Sequence, residues 1–249
     1  MAASNYRPIG MTGLNTSGGR IIEEFLTELR GDKWRRVVRE MSEQDDMIGA
    51  ILFAIEMMLR QVEWRVEPYD ENGESVERAE FVDDCLYDMV DTFDDTLAEI
   101  LTMLPWGFAP LEVTFKRRAD GRVGWQSWAI RAQDTVDEWV WDGNNNLIGF
   151  WQMAPPKYQR VFLPIEKLLL FRTTSRKGNP EGRSILRNAY RSWYFKKHIQ
   201  NIEGVGIERD LAGLPVAWIP PQYLADDAPA DMVAIRNAVK DVVTNIKRD

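Results

Sequence analysis

The stretch that decides the reading is Gly178-Asn179-Pro180-Glu181-Gly182-Arg183-Ser184-Ile185-Leu186-Arg187-Asn188-Ala189-Tyr190-Arg191-Ser192-Trp193-Tyr194-Phe195-Lys196-Lys197-His198. It opens as a tight turn, with two glycines around Asn179-Pro180-Glu181, and then feeds a helix that Ser184 is placed to cap. The spacing predicts one long helix from near Ser184 to about Asp210, with Gly204 and Gly206 as weak points. On such a helix Arg183, Arg187 and Arg191 recur every fourth residue and project from one side. Lys196 and Lys197 follow, and Trp193, Tyr194 and Phe195 are interleaved with the bases. From Arg172 to Arg209 nine bases meet three acids, a local charge of +6. That face has three possible destinations: water, a nucleic-acid phosphate, or an acidic surface on another subunit. A nucleotide-binding phosphate loop is excluded, because no Gly-Lys-Ser/Thr follows the glycines.

An acidic segment stands upstream. Between Asp70 and Glu99 twelve acids meet one base, Arg78, a sum of −11 that exceeds the whole-chain charge of −8. The remainder is therefore slightly basic, and the two segments are candidates to pair between copies. Apolar residues at 76–104 predict helices in two pieces, with Asp94 as the cap of the second. Nearer the N-terminus, residues 1–19 suggest an extended arm. Ile21, Ile22, Phe25, Leu26 and Leu29 suggest a helix stopped by Gly31. Trp34, Val37 and Val38 lead to a second helix capped by Asp45 or Asp46, apolar enough through Ile48–Leu59 to be buried on more than one side. Val62, Trp64 and Val66 alternate with charged residues, which predicts a half-buried strand.

From Phe108 to Phe171 the pattern is β. Strands are expected at Leu111–Phe115, Val136–Trp141, Leu147–Met153, Val161–Leu163 and Leu168–Phe171, with turns at Arg118–Gly121 and Asp142–Asn145. Six of the ten tryptophans lie in or at the edge of this block, a large apolar area needing cover from the chain or from a partner. After Gly213, Leu214–Ile219 looks strand-like, Pro220-Pro221 breaks it, and Asp231 opens a last helix through Val242. The chain stops at Asp249 with that helix uncapped, which suggests a shortened or incomplete chain.

With 249 residues, 45% apolar, the composition is globular. One cysteine, Cys85, excludes an internal disulfide, and one histidine, His198, excludes a two-histidine zinc site. No apolar run reaches membrane-spanning length. Cys85 and His198 are expected to be core or interface residues. The pairs Asp83-Asp84 and Asp94-Asp95 offer a cation site or an acid and base, but they fit a solvated acidic face better. No catalytic, metal or cofactor residue is assigned.

The Gly178–His198 string resembles the signature of tailed-phage portal proteins, closest to the Mu-like portal family. Leu168-Leu169-Leu170-Phe171-Arg172, Gly213-Leu214-Pro215-Val216-Ala217-Trp218-Ile219-Pro220 and the order of elements fit as well. The resemblance implies an α+β portal fold: an arm (1–19), a helical and mixed-β wing domain (20–178), a stem helix (179–210) and a small α/β clip (211–249). It implies a non-enzymatic subunit of a ring, typically a dodecamer, at a capsid vertex. Double-stranded DNA is packaged and ejected through such a ring. The partners it implies are terminase, the major capsid protein, scaffold and a head–tail adaptor. The location it implies is the virion, with the host cytoplasm during assembly.

Arg183, Arg187, Arg191, Lys196 and Lys197 would then face the DNA channel or a neighbouring subunit. Pro220, Gln222, Tyr223, Asp226 and Asp227 would lie where terminase or an adaptor docks. The second stem helix, tunnel loop and crown of the family are missing. The competing reading is a non-portal nucleic-acid-binding module that uses the basic helix.

Overall fold

The computed structural model describes residues 10–212 and 216–245. Residues 1–9 of the arm expected over 1–19, and the first residues of the strand-like Leu214–Ile219 segment, fall outside them. The chain is α+β, and its internal contacts divide it after Tyr190 into two compact units.

The first unit begins with a two-strand ribbon, β1 (Thr16–Ser17) and β2 (Arg20–Ile21). Helices follow: α1 (Gly31–Gln44), α2 (Asp46–Arg60), α3 (Gly73–Tyr87), α4 (Phe93–Leu101) and the single turn α5 (Met103–Trp106). Two three-stranded antiparallel sheets come next. In the first, β3 (Phe108–Arg117) lies between β4 (Val123–Ile130) and β8 (Leu168–Arg172). In the second, β6 (Leu147–Ala154) lies between β5 (Val136–Trp141) and β7 (Gln159–Pro164).

Strand β3 is central because its first half is buried on both faces. Leu111 pairs with Ile130 on one side and Leu169 on the other. Ala109 and Leu111 form a core with Ile100 of α4, against Trp128, Ile130 and Phe171. Phe108 joins the second core with Val136, Trp139, Phe150, Leu163 and Leu168. There Trp139 meets Phe108 and Phe150 at ring-centroid distances of 5.6 and 5.2 Å, tilted arrangements that suit the ring quadrupoles.

Several local expectations are corrected. The helix expected over Ile21–Leu29 is replaced by β2 and a short 3₁₀ turn, Thr27–Leu29. Ile21 instead packs on the Trp139 core, held by the Trp139 amide donating to the Gly19 carbonyl (2.8 Å). Gly31, expected to stop a helix, starts α1 with φ +52°. Asp45 does cap α2, accepting from the amides of Met47 (3.2 Å) and Ile48 (3.0 Å). However, no residue of α2 is buried, against the expectation of burial on several sides.

Residues 62–68 form no strand, because alternation marks the two faces of an extended chain but supplies no partner for the ladder. The cap of α4 is Thr92, whose hydroxyl accepts from the Asp95 amide (3.1 Å). Asp94 lies inside the first turn and pairs with Arg60.

The second unit holds α6 (Tyr190–Ala212), which begins one residue before the division, and α7 (Ala230–Asn245). Residues 216–220 are not a strand, and Pro221–Tyr223 is a 3₁₀ turn.

Candidate functional site

The turn at Gly178–Ser184 is built by close backbone packing. Gly182 has φ +59°, and a Cβ there would fall on the Gly107 carbonyl oxygen. Reciprocally, a Cβ on Gly107 (φ +99°) would stand 2.5 Å from the Glu181 carbonyl. Only glycine permits this approach. Thr173 closes it, because its hydroxyl donates to the Arg183 carbonyl (2.6 Å) and accepts from the Arg183 amide (3.2 Å). Asn179 accepts from the Glu181 amide (2.9 Å), and Arg172 donates to the Asn179 carbonyl (3.2 Å). The Glu181 carboxylate accepts from Trp139 Nε1 (3.0 Å), and loss of water around it pushes its pKa above the ordinary carboxylate value.

Ser184 caps as expected, accepting from the Leu186 amide (3.0 Å), but what it caps is a 3₁₀ turn, Ile185–Arg187. The long helix starts only at Tyr190. The expectation of Arg183, Arg187 and Arg191 on one face of a single helix is therefore corrected. Arg183 precedes the 3₁₀ turn, Arg187 ends it, and Arg191 belongs to α6. The break lies at Asn188-Ala189, because Leu186 and Ser184 are buried and tie this segment to the first unit.

The bases also differ in what they touch. Arg187 makes a two-pronged pair with Glu24 (Nη2 to Oε1, 2.8 Å) and lies 5.4 Å over the Phe25 ring. Burial raises the Glu24 pKa, but the Arg187 contact and the Leu26 amide outweigh it and hold the carboxyl below its usual range. Lys177 pairs with Glu23 (3.0 Å). The Asn15 amide, followed by Lys177, holds Glu23 low as well. Residues 15–30 are thus clasped to the glycine turn, leaving a cleft of about 420 Å³ whose walls include Trp34, Trp106, Arg176 and Arg183. Arg183 donates to the Asn188 side chain (3.1 Å). On α6, Arg191 lies 5.8 Å over Phe195 and Lys197 lies 5.3 Å over Trp193. Lys196 is half-buried on the same helix.

Among the acids, Asp94 pairs with Arg60, Asp84 and Asp88 with Arg118, and Asp88 also with Lys116. Part of the −11 is therefore answered inside the chain by α2 and the β3–β4 hairpin. Cys85 is buried and accepts from Arg118 (3.1 Å), and the His198 ring meets Tyr194 at a centroid distance of 4.1 Å, tilted by 60°. Among the described residues, no group of three or more His, Cys, Asp or Glu side chains is placed to hold a metal. Also among them, no helix is long and apolar enough to cross a membrane.

Pro220, Gln222, Asp226 and Asp227 are exposed and Tyr223 is half-buried, around the 3₁₀ turn that precedes α7. Glu23, Glu24, Gly107 and Thr173 were not singled out from sequence. Glu23 stands 154 positions from Lys177 and Glu24 stands 163 from Arg187, so nothing local in the sequence marks the pairing.

Residues 35–247 match a family model described as the portal protein of Mu bacteriophage. No curated protein matches the chain. The matched span contains α2 to α6, both sheets and the glycine turn, and on that footing the chain belongs to the Mu-like family of bacteriophage portal proteins.

Proposed function

We propose that this portal protein assembles head to tail into a closed ring at a capsid vertex and passes double-stranded DNA during packaging and ejection. The family match over residues 35–247 carries this reading. Two features support it. Helix α2 and much of α6 expose apolar side chains that a solitary chain leaves in water. The bases are dispersed rather than gathered in one stripe, which suits a wall along which DNA slides without being gripped.

In this reading Arg183, Arg191, Lys196 and Lys197 face the channel or the next subunit, whereas Arg187 holds Glu24 within its own chain. Pro220, Gln222, Tyr223, Asp226 and Asp227 form the docking surface for terminase or a head–tail adaptor. The subunit acts without chemistry of its own, in the virion and beforehand in the host cytoplasm, alongside capsid and scaffold proteins. Native mass spectrometry with particle imaging tests it. A closed ring of identical subunits is expected. A monomer at every concentration and salt would sink the proposal.

A further inference from the structure

The cleft between residues 15–30 and the glycine turn is charged unevenly. Five bases and three acids line it. Lys177 answers Glu23 and Arg187 answers Glu24, which leaves Arg30, Arg176 and Arg183 against Glu181. Arg30 donates to the Glu24 carbonyl and Arg183 to the neutral side chain of Asn188, and among the described residues none of the three has a carboxylate partner. Trp34 and Trp106 supply aromatic wall. One Glu181 oxygen accepts from Trp139, and the other has no hydrogen-bond partner among the described residues. The cleft therefore suits an aromatic ring that carries a hydrogen-bond donor and has anionic groups beside it.

One turn of the same chain has that make-up. Tyr69 stands in the bend before α3 and is 97% exposed, so the chain does not fill its own cleft with it. Asp70 and Glu71 follow. Neither has an ion pair among the described residues, whereas the flanking Glu67 and Glu74 are held by Arg65 and Arg78. The other exposed tyrosines of the described residues lack this setting. Tyr87 spends its hydroxyl on the Trp64 carbonyl (3.3 Å), and the acids beside it, Asp84 and Asp88, pair with Arg118. Tyr158 follows Lys157, and Tyr194 stands two residues before Lys196. We propose that Tyr69 of one copy enters this cleft on a second copy. Its ring lies against Trp34 and Trp106, its hydroxyl donates to Glu181, and Asp70 and Glu71 meet Arg176 and Arg183. The volume of about 420 Å³ has room for one aromatic side chain and part of the turn that carries it.

The contact rests on the ring reading, because it joins two different surfaces of identical chains and so propagates around a ring. Within it the aromatic anchor carries most of the affinity, and the charges set its orientation. A photo-cross-link tests it directly. Isotope-labelled chains carrying the photoreactive residue p-benzoylphenylalanine in place of Tyr69 are co-assembled with unlabelled chains and irradiated. Cross-linked peptides should join position 69 of a labelled chain to Trp34, Trp106 or residues 174–183 of an unlabelled one. Links to any other surface, or only within one chain, overturn the proposal.

Substitutions give an independent readout, since Tyr69, Glu71 and Arg176 are all exposed. Tyr69→Ala should weaken association at least about tenfold. Tyr69→Phe should lose less, because the ring stays and only the hydroxyl goes. Glu71→Arg and Arg176→Glu should each weaken association, and joined in one chain they should recover most of the loss. A double variant no better than the worse single one overturns the proposal. Native mass of the same samples separates the two failures. A ring whose cross-links avoid the cleft overturns this contact alone, and a monomer throughout overturns the ring as well.

Discussion

Gly182 and Gly178 both have positive φ and differ in their surroundings, so they separate backbone strain from steric exclusion. A Cβ at Gly178 meets open space, whereas one at Gly182 falls on the Gly107 carbonyl. Gly178→Ala should cost about 1 kcal/mol from the left-handed backbone alone. Gly182→Ala should cost roughly 2–4 kcal/mol, because the turn must also move off Gly107. Denaturant unfolding of the two variants checks this, and equal losses would contradict the packing argument. Glu181 gives a pH prediction of definite sign. Its carboxyl is raised by desolvation, so its favourable contribution is present below the ordinary pKa of 4.5 and is lost as pH rises through the folded value. Glu181→Gln keeps an acceptor for Trp139 and removes the half-buried charge. The variant should be as stable as or more stable than the parent at pH 7, and the difference should vanish at pH 4.

At the scale of elements, the caps decide where helices begin. Asp45 accepts two amides at the start of α2, and Thr92 accepts one at the start of α4. Replacing either by Ala should cost about 1 kcal/mol. Asp94→Ala leaves the α4 cap intact and should shift the unfolding midpoint less than Thr92→Ala. The reverse ranking would restore Asp94 as the cap. The clasp of residues 15–30 to the glycine turn follows a different rule. Glu23 and Glu24 are held below their ordinary values, so what they contribute is present above the ordinary carboxylate pKa and is lost as pH falls through the folded values. Amide exchange should therefore rise in residues 15–30 only on acidification below the ordinary carboxylate pKa of 4.5, before the β cores of the same unit open. Arg187→Ala should produce the same opening at neutral pH.

For the whole molecule, the balance of exposed apolar surface and dispersed charge carries the functional reading. The acids of α3 and α4 are partly neutralised by Arg60, Lys116 and Arg118 of the same chain. In the proposed ring, attraction between the acidic and basic segments of neighbouring subunits is thereby weakened, and assembly falls more to the exposed apolar side chains of α2 and α6. Subunit association should accordingly be only weakly reduced between low and moderate salt. Met58→Asp on the exposed side of α2 should abolish it, as measured by native mass. Strong loss of association with salt and tolerance of Met58→Asp would point back to charge pairing as the dominant force.

The sequence by itself determined the α+β class, most β strands, the Asp45 cap, the family resemblance and the glycine turn. Each of these is written locally, in a period of two, a run of turn residues or a motif. The tertiary structure alone decided three other matters. It placed Ile21 on the Trp139 core instead of in a helix, because the apolar residues of 21–29 do not record which surface will take them. It broke the expected long helix at Asn188-Ala189, where buried Ser184 and Leu186 hold the turn to Gly107, a residue nearly eighty positions away that helical spacing cannot report. It also left α2 open. Apolar periodicity measures how much surface a helix could hide, and only the packing against α1 and α4 shows how much of it stays exposed.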